Sequence, residues 1–410
     1  MGRRPSESRL LIYSHDSFGL GHLKRCRAIA HSLVEHRQDL SVLILSGSPI
    51  IGSFDFRSRV DFVRIPGVVK LRSGGYTPLG LDIGVEEAVA IRESIIRQTA
   101  DVFAPDVFLV DKEPMGLRGE AKNTLKMLKK RGTQLVLGLR DVMDAPDALA
   151  EEWERKKAVP VLRDLYDHIW VYGLENICAP LDGVDVPGSV YDKLSYTGYL
   201  RRSSPVVQNP ITTDMLPLGE PYVLVTPGGG GDGASMVDWV LRAYEHDHEL
   251  PFNALTVFGP FMHMDLQIEF KRRVEMLPRV HATTFDTNLE NLVSGAIGVI
   301  GMGGYNTFCE ILSFDKPSLI VPRTVPRLEQ YIRASRAEEL GLVTMLVDDG
   351  NRDPQRMAAA IRELPSKPKP SETRIPGLLD GLSTINGAID QWLNRPRRLR
   401  VPLKLVQHEG

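Results

Sequence analysis

A proton acceptor stands at the start of the chain's first amphipathic stretch: His22, directly after Gly19-Leu20-Gly21. Imidazole is the side chain best matched to taking a proton near neutral pH. Two carboxylates, Asp111 and Glu113, close an apolar run in Val-Asp-Lys-Glu-Pro. Either could be a base itself or the partner of that histidine. A third, Glu310, follows Gly303-Gly304, where its oxygens could accept hydrogen bonds from both hydroxyls of a ribose. Each has a plainer reading. A helix-opening histidine can be a cap or a surface residue, strand-end carboxylates can be merely solvated, and an acidic residue near a helix N-terminus is favourable by itself.

Around these residues the chain carries three glycine-rich turns. The first is Ser14 to His22. The second is Thr226-Pro227-Gly228-Gly229-Gly230-Gly231-Asp232-Gly233, and the third is Gly301-Met302-Gly303-Gly304-Tyr305-Asn306-Thr307. Each joins a β-type apolar run to a helical stretch, where free N–H groups and close backbone approach suit an anion such as a diphosphate. The alternative is a connecting or flexible turn. The first turn lacks the third glycine of a dinucleotide fingerprint, and no acidic ribose ligand closes the second strand, which argues against NAD. The second lacks the Gly-Lys-Ser/Thr ending of a P-loop. Glu245-His246-Asp247-His248-Glu249 has the composition of a metal site. Consecutive residues at a helix end point in different directions, so this run reads as a solvated helix end and no metal ligands are assigned.

The elements that must position these turns alternate between two periods. Leu10 to Tyr13, Ser41 to Leu45, Val60 to Ile65, Val107 to Val110, Gln134 to Leu139 and His168 to Tyr172 read as strands. His22 to Glu35, Gly84 to Thr99 and Gly119 to Lys130 read as helices between them. Such alternation predicts an α/β fold with a doubly wound parallel sheet. After the proline-bearing segment Arg201 to Glu220 the pattern restarts. Tyr222 to Val225, Ala254 to Phe258, Val280 to Thr284, Gly298 to Ile300, Ser318 to Val321 and Thr344 to Val347 are the strands of a second such sheet. The expected division is an N-terminal Rossmann-like domain at 1–200, a linker at 201–220, a second Rossmann-like domain at 221–365, and a C-terminal helix and basic tail at 366–410. That tail, with Arg395, Arg397, Arg398, Arg400 and Lys404, would pack back across the first domain, stay solvated, or touch anionic lipid. Sheets of this type bind ligands beyond the carboxyl ends of their strands, so the cleft between the two domains is the expected site.

Composition narrows the class. With 410 residues the chain is too long for one core, which fits two domains. A formal net charge of −2 gives no electrostatic reason to bind nucleic acid. The three cysteines, Cys26, Cys178 and Cys309, form no CxxC pair, so a disulfide framework is not expected and a reducing compartment is. The N-terminus does not read as a signal peptide, and no apolar run approaches the roughly 20 residues of a spanning helix. These features predict a cytoplasmic protein whose membrane contact is at most peripheral, at the inner face.

These residues, in this order, resemble the GT-B glycosyltransferases related to the bacterial peptidoglycan N-acetylglucosaminyltransferase, most strongly over Thr197 to Gly341 and again at Gly19 to His22. Thr197-Gly198-Tyr199-Leu200-Arg201 is similar to that family's T-G-N-P-V-R, whose arginine lies near the donor. Thr284-Phe285-Asp286-Thr287-Asn288-Leu289 is similar to its uracil-binding turn, which puts Phe285 beside the base and the backbone of Asp286 at its edge. Gly303-Gly304 with Glu310 matches the glycine pair and the ribose-binding glutamate. Val321-Pro322 followed by Glu329-Gln330 resembles V-P…Q-Q, the pair that holds the donor sugar. Glu329 in place of glutamine is instead similar to plant-type hexosyltransferases, and Arg333 replaces an expected asparagine. Val321 to Leu342 resembles a poorly characterised bacterial branch of predicted glycosyltransferases. Gly19-Leu20-Gly21-His22-Leu23-Lys24-Arg25-Cys26 is also similar to the G-x-G-H-x-x-R-C of nucleotide-sugar hydrolases from the pseudaminic acid pathway.

The resemblance implies a GT-B enzyme that transfers a sugar from a UDP-hexose or UDP-N-acetylhexosamine to a glycan, lipid-linked or other acceptor. The sugar nucleotide is a co-substrate, with no cofactor or metal required. Transfer would be a single inverting displacement. His22 is the expected base, with Asp111 and Glu113 as its alternatives or partners. Gly21, Arg201, Gly228, Gly229, Gly230, Gly231, Phe285, Asp286, Gly303, Gly304, Tyr305, Asn306, Thr307, Glu310, Glu329 and Gln330 would hold the donor. The loop Leu71 to Tyr76, within Lys70 to Gly84, would wall the acceptor side. The other readings are a hydrolase of the same fold and a non-catalytic sugar-nucleotide sensor; a 2-epimerase lacks its recognisable acidic and basic set.

Overall fold

The computed structural model describes residues 7–15, 21–71, 75–204 and 220–394. Its first sheet is built from β1 (Ser8–Ser14), β2 (Leu40–Ser46), β3 (Val60–Arg64), β6 (Val107–Asp111), β7 (Gln134–Arg140), β8 (His168–Tyr172) and β9 (Leu194–Tyr196). Their order is β3-β2-β1-β6-β7-β8-β9, with every pair parallel. The second sheet comprises β10 (Tyr222–Thr226), β11 (Asn253–Val257), β12 (Val280–Thr283), β13 (Gly298–Gly301), β14 (Ser318–Ile320) and β15 (Thr344–Met345). Its order, β12-β11-β10-β13-β14-β15, is again parallel throughout. Both sheets reverse direction beside their first strand, β1 or β10. That switch point opens a crevice in front of the turns at Ser14 and Thr226.

The strands read from sequence are all present. Their near-continuous apolar runs follow from burial on both faces: Leu10, Leu11, Ile12 and Tyr13 are fully buried, as are Val223, Leu224 and Val225. Two elements differ from the sequence reading. Around the stretch read as one long loop, β4 (Val68–Lys70) and β5 (Tyr76–Pro78) pair as an antiparallel hairpin, ahead of the expected helix at Val85–Phe103. Residues 72–74 of that stretch lie outside the described residues. Strand β9, only three residues long, is too short to carry a periodic signal.

The helix Gly381–Leu393 lies against the helix Gly21–His36 of the first sheet. Asn386 Nδ2 donates to Ser32 at 3.0 Å, and Trp392 stacks on His168 and Trp170 with ring centroids 4.2 and 5.5 Å away. The chain reaches this position across Gly198, where φ is +87° and an added Cβ would lie 2.3 Å from the Gly377 carbonyl oxygen. Glycine is therefore demanded by close backbone approach in the Thr197-to-Arg201 motif. Among the described residues no helix is long and apolar enough to cross a membrane. The basic tail, 395–410, and most of the linker, 205–219, lie outside the described residues, as do 16–20 in the first glycine turn.

Candidate functional site

A cleft of about 580 Å³ separates the carboxyl ends of the two sheets. It is within the volume range of small-molecule sites. On the first side stand Gly21, His22, Lys24, Arg25, Val69 and Arg140; the second presents the Gly228–Gly231 loop, Phe285, Asp286, Gly304 to Thr307, Glu310, Arg323, Glu329 and Gln330.

His22 enters the cleft at the first turn of its helix. Its Nδ1 lies 2.5 Å from Asp111 Oδ2 at the end of β6. Arg25, three residues along the same helix, donates from Nε to Oδ1 at 2.8 Å and from a terminal nitrogen to Oδ2 at 2.6 Å. An ionised carboxylate only accepts, and its 2.5 Å distance from Nδ1 outweighs the longer 3.1 Å approach of Arg25, which could only donate to an unprotonated Nδ1. Nδ1 therefore carries the proton that Asp111 accepts, and Nε2 is left as the basic nitrogen. Burial lowers the His22 pKa, opposed by the Asp111 hydrogen bond. Burial alone would raise the Asp111 carboxyl, but Arg25 and then His22 hold it well below the usual carboxylate range. Asp111 is thus the partner of His22. Glu113, the alternative base or partner, is outside the cleft lining and pairs with Lys156 at 2.7 Å. Between Asp111 and Glu113, Lys112 takes a φ of +70°, which turns the chain after β6.

His15 was not foreseen. Its ring stands edge-on to His22 with centroids 5.6 Å apart, and burial pushes its pKa down to about 3. It is a neutral wall behind the dyad.

Across the cleft, Glu310 is buried in the second turn of the helix Tyr305–Ser313. Lys24 of the first domain reaches its Oε1 at 3.3 Å, while Oε2 is buried without a partner among the described residues. Burial raises this carboxyl, with Lys24 opposing. An orphaned buried acceptor beside an open cleft is what a ligand hydroxyl would satisfy. Asn306 donates to the Gly21 carbonyl at 3.0 Å and accepts from Arg202 at 2.8 Å. Thr307 lines the cleft beside it. The Tyr305 ring sits between the Arg25 and Arg333 guanidiniums at 5.3 and 5.9 Å, which ties it to domain packing as well as to the cleft.

The glycine loop after β10 has a divided role. At Gly230, φ is +89° and an added Cβ would meet the Phe258 carbonyl at 2.3 Å, so packing requires it. Gly228 and Gly229 meet nothing closer than 3.4 Å and face the cleft. Phe285 meets Phe54 of the first domain edge-on at 6.3 Å, and the Asp286 carboxylate accepts from the Asn288 amide at 2.7 Å. Glu329 opens the helix Glu329–Glu339 and accepts from Arg140 at 2.5 Å and Arg323 at 3.3 Å. Burial would raise its carboxyl, but Arg140 and then Arg333 hold it at about 2. Gln330 Oε1 accepts from the Arg323 amide at 3.1 Å.

Two further placements differ from the sequence reading. Arg201 is exposed and outside the cleft lining, whereas Leu200 and Arg202 are buried. Tyr199, Leu200 and Arg202 pack inward here, and the motif's arginine faces outward. Gly303 lies behind the cleft wall, giving its carbonyl to Arg333 at 2.9 Å. The acidic-histidine run is engaged elsewhere: Glu245 pairs with Arg273, and Asp247 with Arg362.

Two parallel-sheet domains closing on a cleft of this composition define the GT-B fold. Residues 223–378 match the family model of the glycosyltransferase family 28 C-terminal domain. Solved structures with the same fold include LpCGTa in complex with UDP, with a TM-score of 0.61, 12% identity, and coverage of 94% of this chain and 99% of that one. The glycotransferase of kitacinnamycin aligns with a TM-score of 0.58 at 16% identity, over 95% of this chain and 96% of its own. MurG of Acinetobacter baumannii gives 0.55 at 10% identity, over 94% and 99%. No curated protein matches the chain significantly in sequence. The family match in the second domain and the GT-B frame around the whole cleft make this chain a glycosyltransferase acting on a nucleotide-sugar donor.

Proposed function

We propose that the enzyme transfers a hexose or N-acetylhexosamine from its UDP derivative to a hydroxyl of a glycan or lipid-linked acceptor, by one inverting displacement and without a metal. The carrying observation is the His22–Asp111 dyad, 2.5 Å apart, facing the Gly228–Gly231 loop and Glu310 across the cleft. His22 Nε2 takes the proton of the acceptor hydroxyl as its oxygen attacks the anomeric carbon. The bond from that carbon to the diphosphate oxygen breaks, and its electron pair leaves with UDP. Glycine-loop amides and the helix starting at Tyr305 stabilise the developing charge. Glu310 holds the ribose, Phe285 and the Asp286 backbone take the uracil, and Glu329 with Gln330 meets the sugar. The Phe285 turn supports uridine, and the UDP held by LpCGTa agrees with it. The same residues support a place near the peptidoglycan N-acetylglucosaminyltransferases. Cys26, Cys178 and Cys309, which form no disulfide among the described residues, support a cytoplasmic location.

The test is a thermal-shift panel of UDP, GDP, dTDP and ADP sugars, followed by turnover with the best binder. A ligand at 100 times its Kd stabilises the fold by roughly 2.7 kcal/mol. Uridine nucleotides should shift the melt with EDTA present, and UDP release should accelerate when an acceptor is added. Shifts by purine nucleotides alone, or abolished by EDTA, would refute the donor assignment. Full-speed release with water and no response to any acceptor would make the enzyme a hydrolase.

A further inference from the structure

With Arg201 turned outward, the junction motif leaves the departing diphosphate without the cation its resemblance implied. Another arginine occupies the needed position. Arg323 lies three residues beyond β14, where the chain turns back toward the glycine loop after β10. It ion-pairs through one terminal nitrogen with Asp232, the residue directly after Gly231, and through the other with Glu329 Oε1 at 3.3 Å. Its backbone amide donates to Gln330 at 3.1 Å. One side chain thus spans the phosphate loop and the sugar-facing pair, the two places that the bond to be broken must lie between. Its Nε–H is buried without a partner among the described residues. An unsatisfied guanidinium donor at a cleft wall marks a group awaiting an acceptor.

Asp232 is the odd member of the pair. Its side chain is 52% exposed, on a loop whose amides otherwise favour an anion. A carboxylate there repels a phosphate, and it holds Arg323 where that phosphate would sit.

Resting on the proposed nucleotide-sugar reading, we propose that Arg323 is the diphosphate-binding cation of this enzyme and that Asp232 holds it in place between turnovers. When donor binds, Arg323 exchanges the Asp232 carboxylate for the β-phosphate. As the bond between the anomeric carbon and the β-phosphate oxygen breaks, the electron pair moves onto that oxygen and Arg323 neutralises it. The acceptor oxygen forms the new bond to carbon, and its proton passes to His22. Release of UDP lets Asp232 take Arg323 back.

The experiment is calorimetric binding of uridine, UMP and UDP to the full chain and to Arg323→Gln and Asp232→Asn variants, with and without magnesium. A hydrogen-bonded charge is worth enough that Arg323→Gln should weaken UDP about ten- to a hundredfold. Uridine, which carries no phosphate, should bind the variant unchanged, and this shows that its cleft is still folded. Asp232→Asn should bind UDP several-fold more tightly than the parent and leave uridine alone. Equal losses for uridine and UDP in Arg323→Gln would reduce Arg323 to a structural role and overturn the proposal. So would weaker, magnesium-dependent UDP binding in Asp232→Asn, which would make Asp232 a metal ligand. If the parent chain binds none of the three probes, the uridine reading itself falls, and the proposal with it. If it binds UDP tightly but neither variant differs, only Arg323 is ruled out.

Discussion

Removing the Asp141 carboxylate should loosen the joint between the two domains. Asp141 follows β7 of the first sheet and receives two hydrogen bonds from Arg333 of the second domain, at 2.7 and 2.6 Å. A third comes from the Tyr199 hydroxyl at 2.9 Å. Both charged side chains are 0% exposed. In Asp141→Ala the Arg333 guanidinium keeps the Gly303 carbonyl but loses its direct carboxylate partner in the interior, with the more distant Glu329 left to offset its charge. Breaking a buried pair from one side costs about 3–5 kcal/mol. For 410 residues at about 2.1 cal/mol/K per residue, cooperative unfolding would drop by roughly 3–6 °C. The double variant Asp141→Ala/Arg333→Met should recover most of that loss, because replacing both charges by apolar groups is often neutral. Urea and thermal unfolding followed by tryptophan fluorescence measures the parent, Asp141→Ala, Arg333→Met and the double variant. A single-variant cost under about 1 kcal/mol, or a double variant as unstable as the sum of the two singles, would refute the reasoning.

Glu310→Ala should weaken UDP about ten- to a hundredfold while leaving the fold intact, as read by calorimetry and circular dichroism. His22→Ala should lower turnover by about 10²–10⁴-fold with donor affinity little changed, in a coupled UDP-release assay. Because burial depresses the His22 pKa, its basic form persists below the ordinary imidazole value, so the acid limb of kcat/KM should fall below pH 6.5. For stability, His15 with its pKa held at about 3 is neutral when folded and charged when unfolded below pH 6.5. Its contribution is present above pH 6.5 and is lost steadily as pH falls from there toward 3. Urea titrations of the parent and of His15→Asn should show a shallower acid slope in the variant.

Strands were legible because both sheets are buried on two faces, which forces unbroken apolar runs such as Leu10 to Tyr13. The hairpin β4–β5 was not, since three-residue strands around a glycine pair carry no period to read. Glu310 could be placed at the cleft because a glycine turn fixes its direction locally, whereas Glu329 and Gln330 were reached only through the family resemblance. Arg25, Arg140 and Arg323 could not, because each acquires its role from a partner 86, 189 or 91 residues away. Arg25 did leave a trace: three residues after His22 on a helix, it shares that residue's face.

The helix Gly381–Leu393 also sets a schedule for synthesis. Its Asn386 meets Ser32, a partner 354 residues earlier in the chain. At 5–20 residues per second, the ribosome needs roughly 20–70 s to make the intervening chain. For roughly the last 10–40 s of that interval, once β9 is made, the first domain waits with the flank at His168, Trp170 and the helix Gly21–His36 uncovered. A nascent chain halted before Gly381 should therefore carry a complete first sheet yet remain a chaperone client. Release from the chaperone should come with the final helix, and pulse-labelled chains arrested at residue 380 and at residue 394 would reveal the difference.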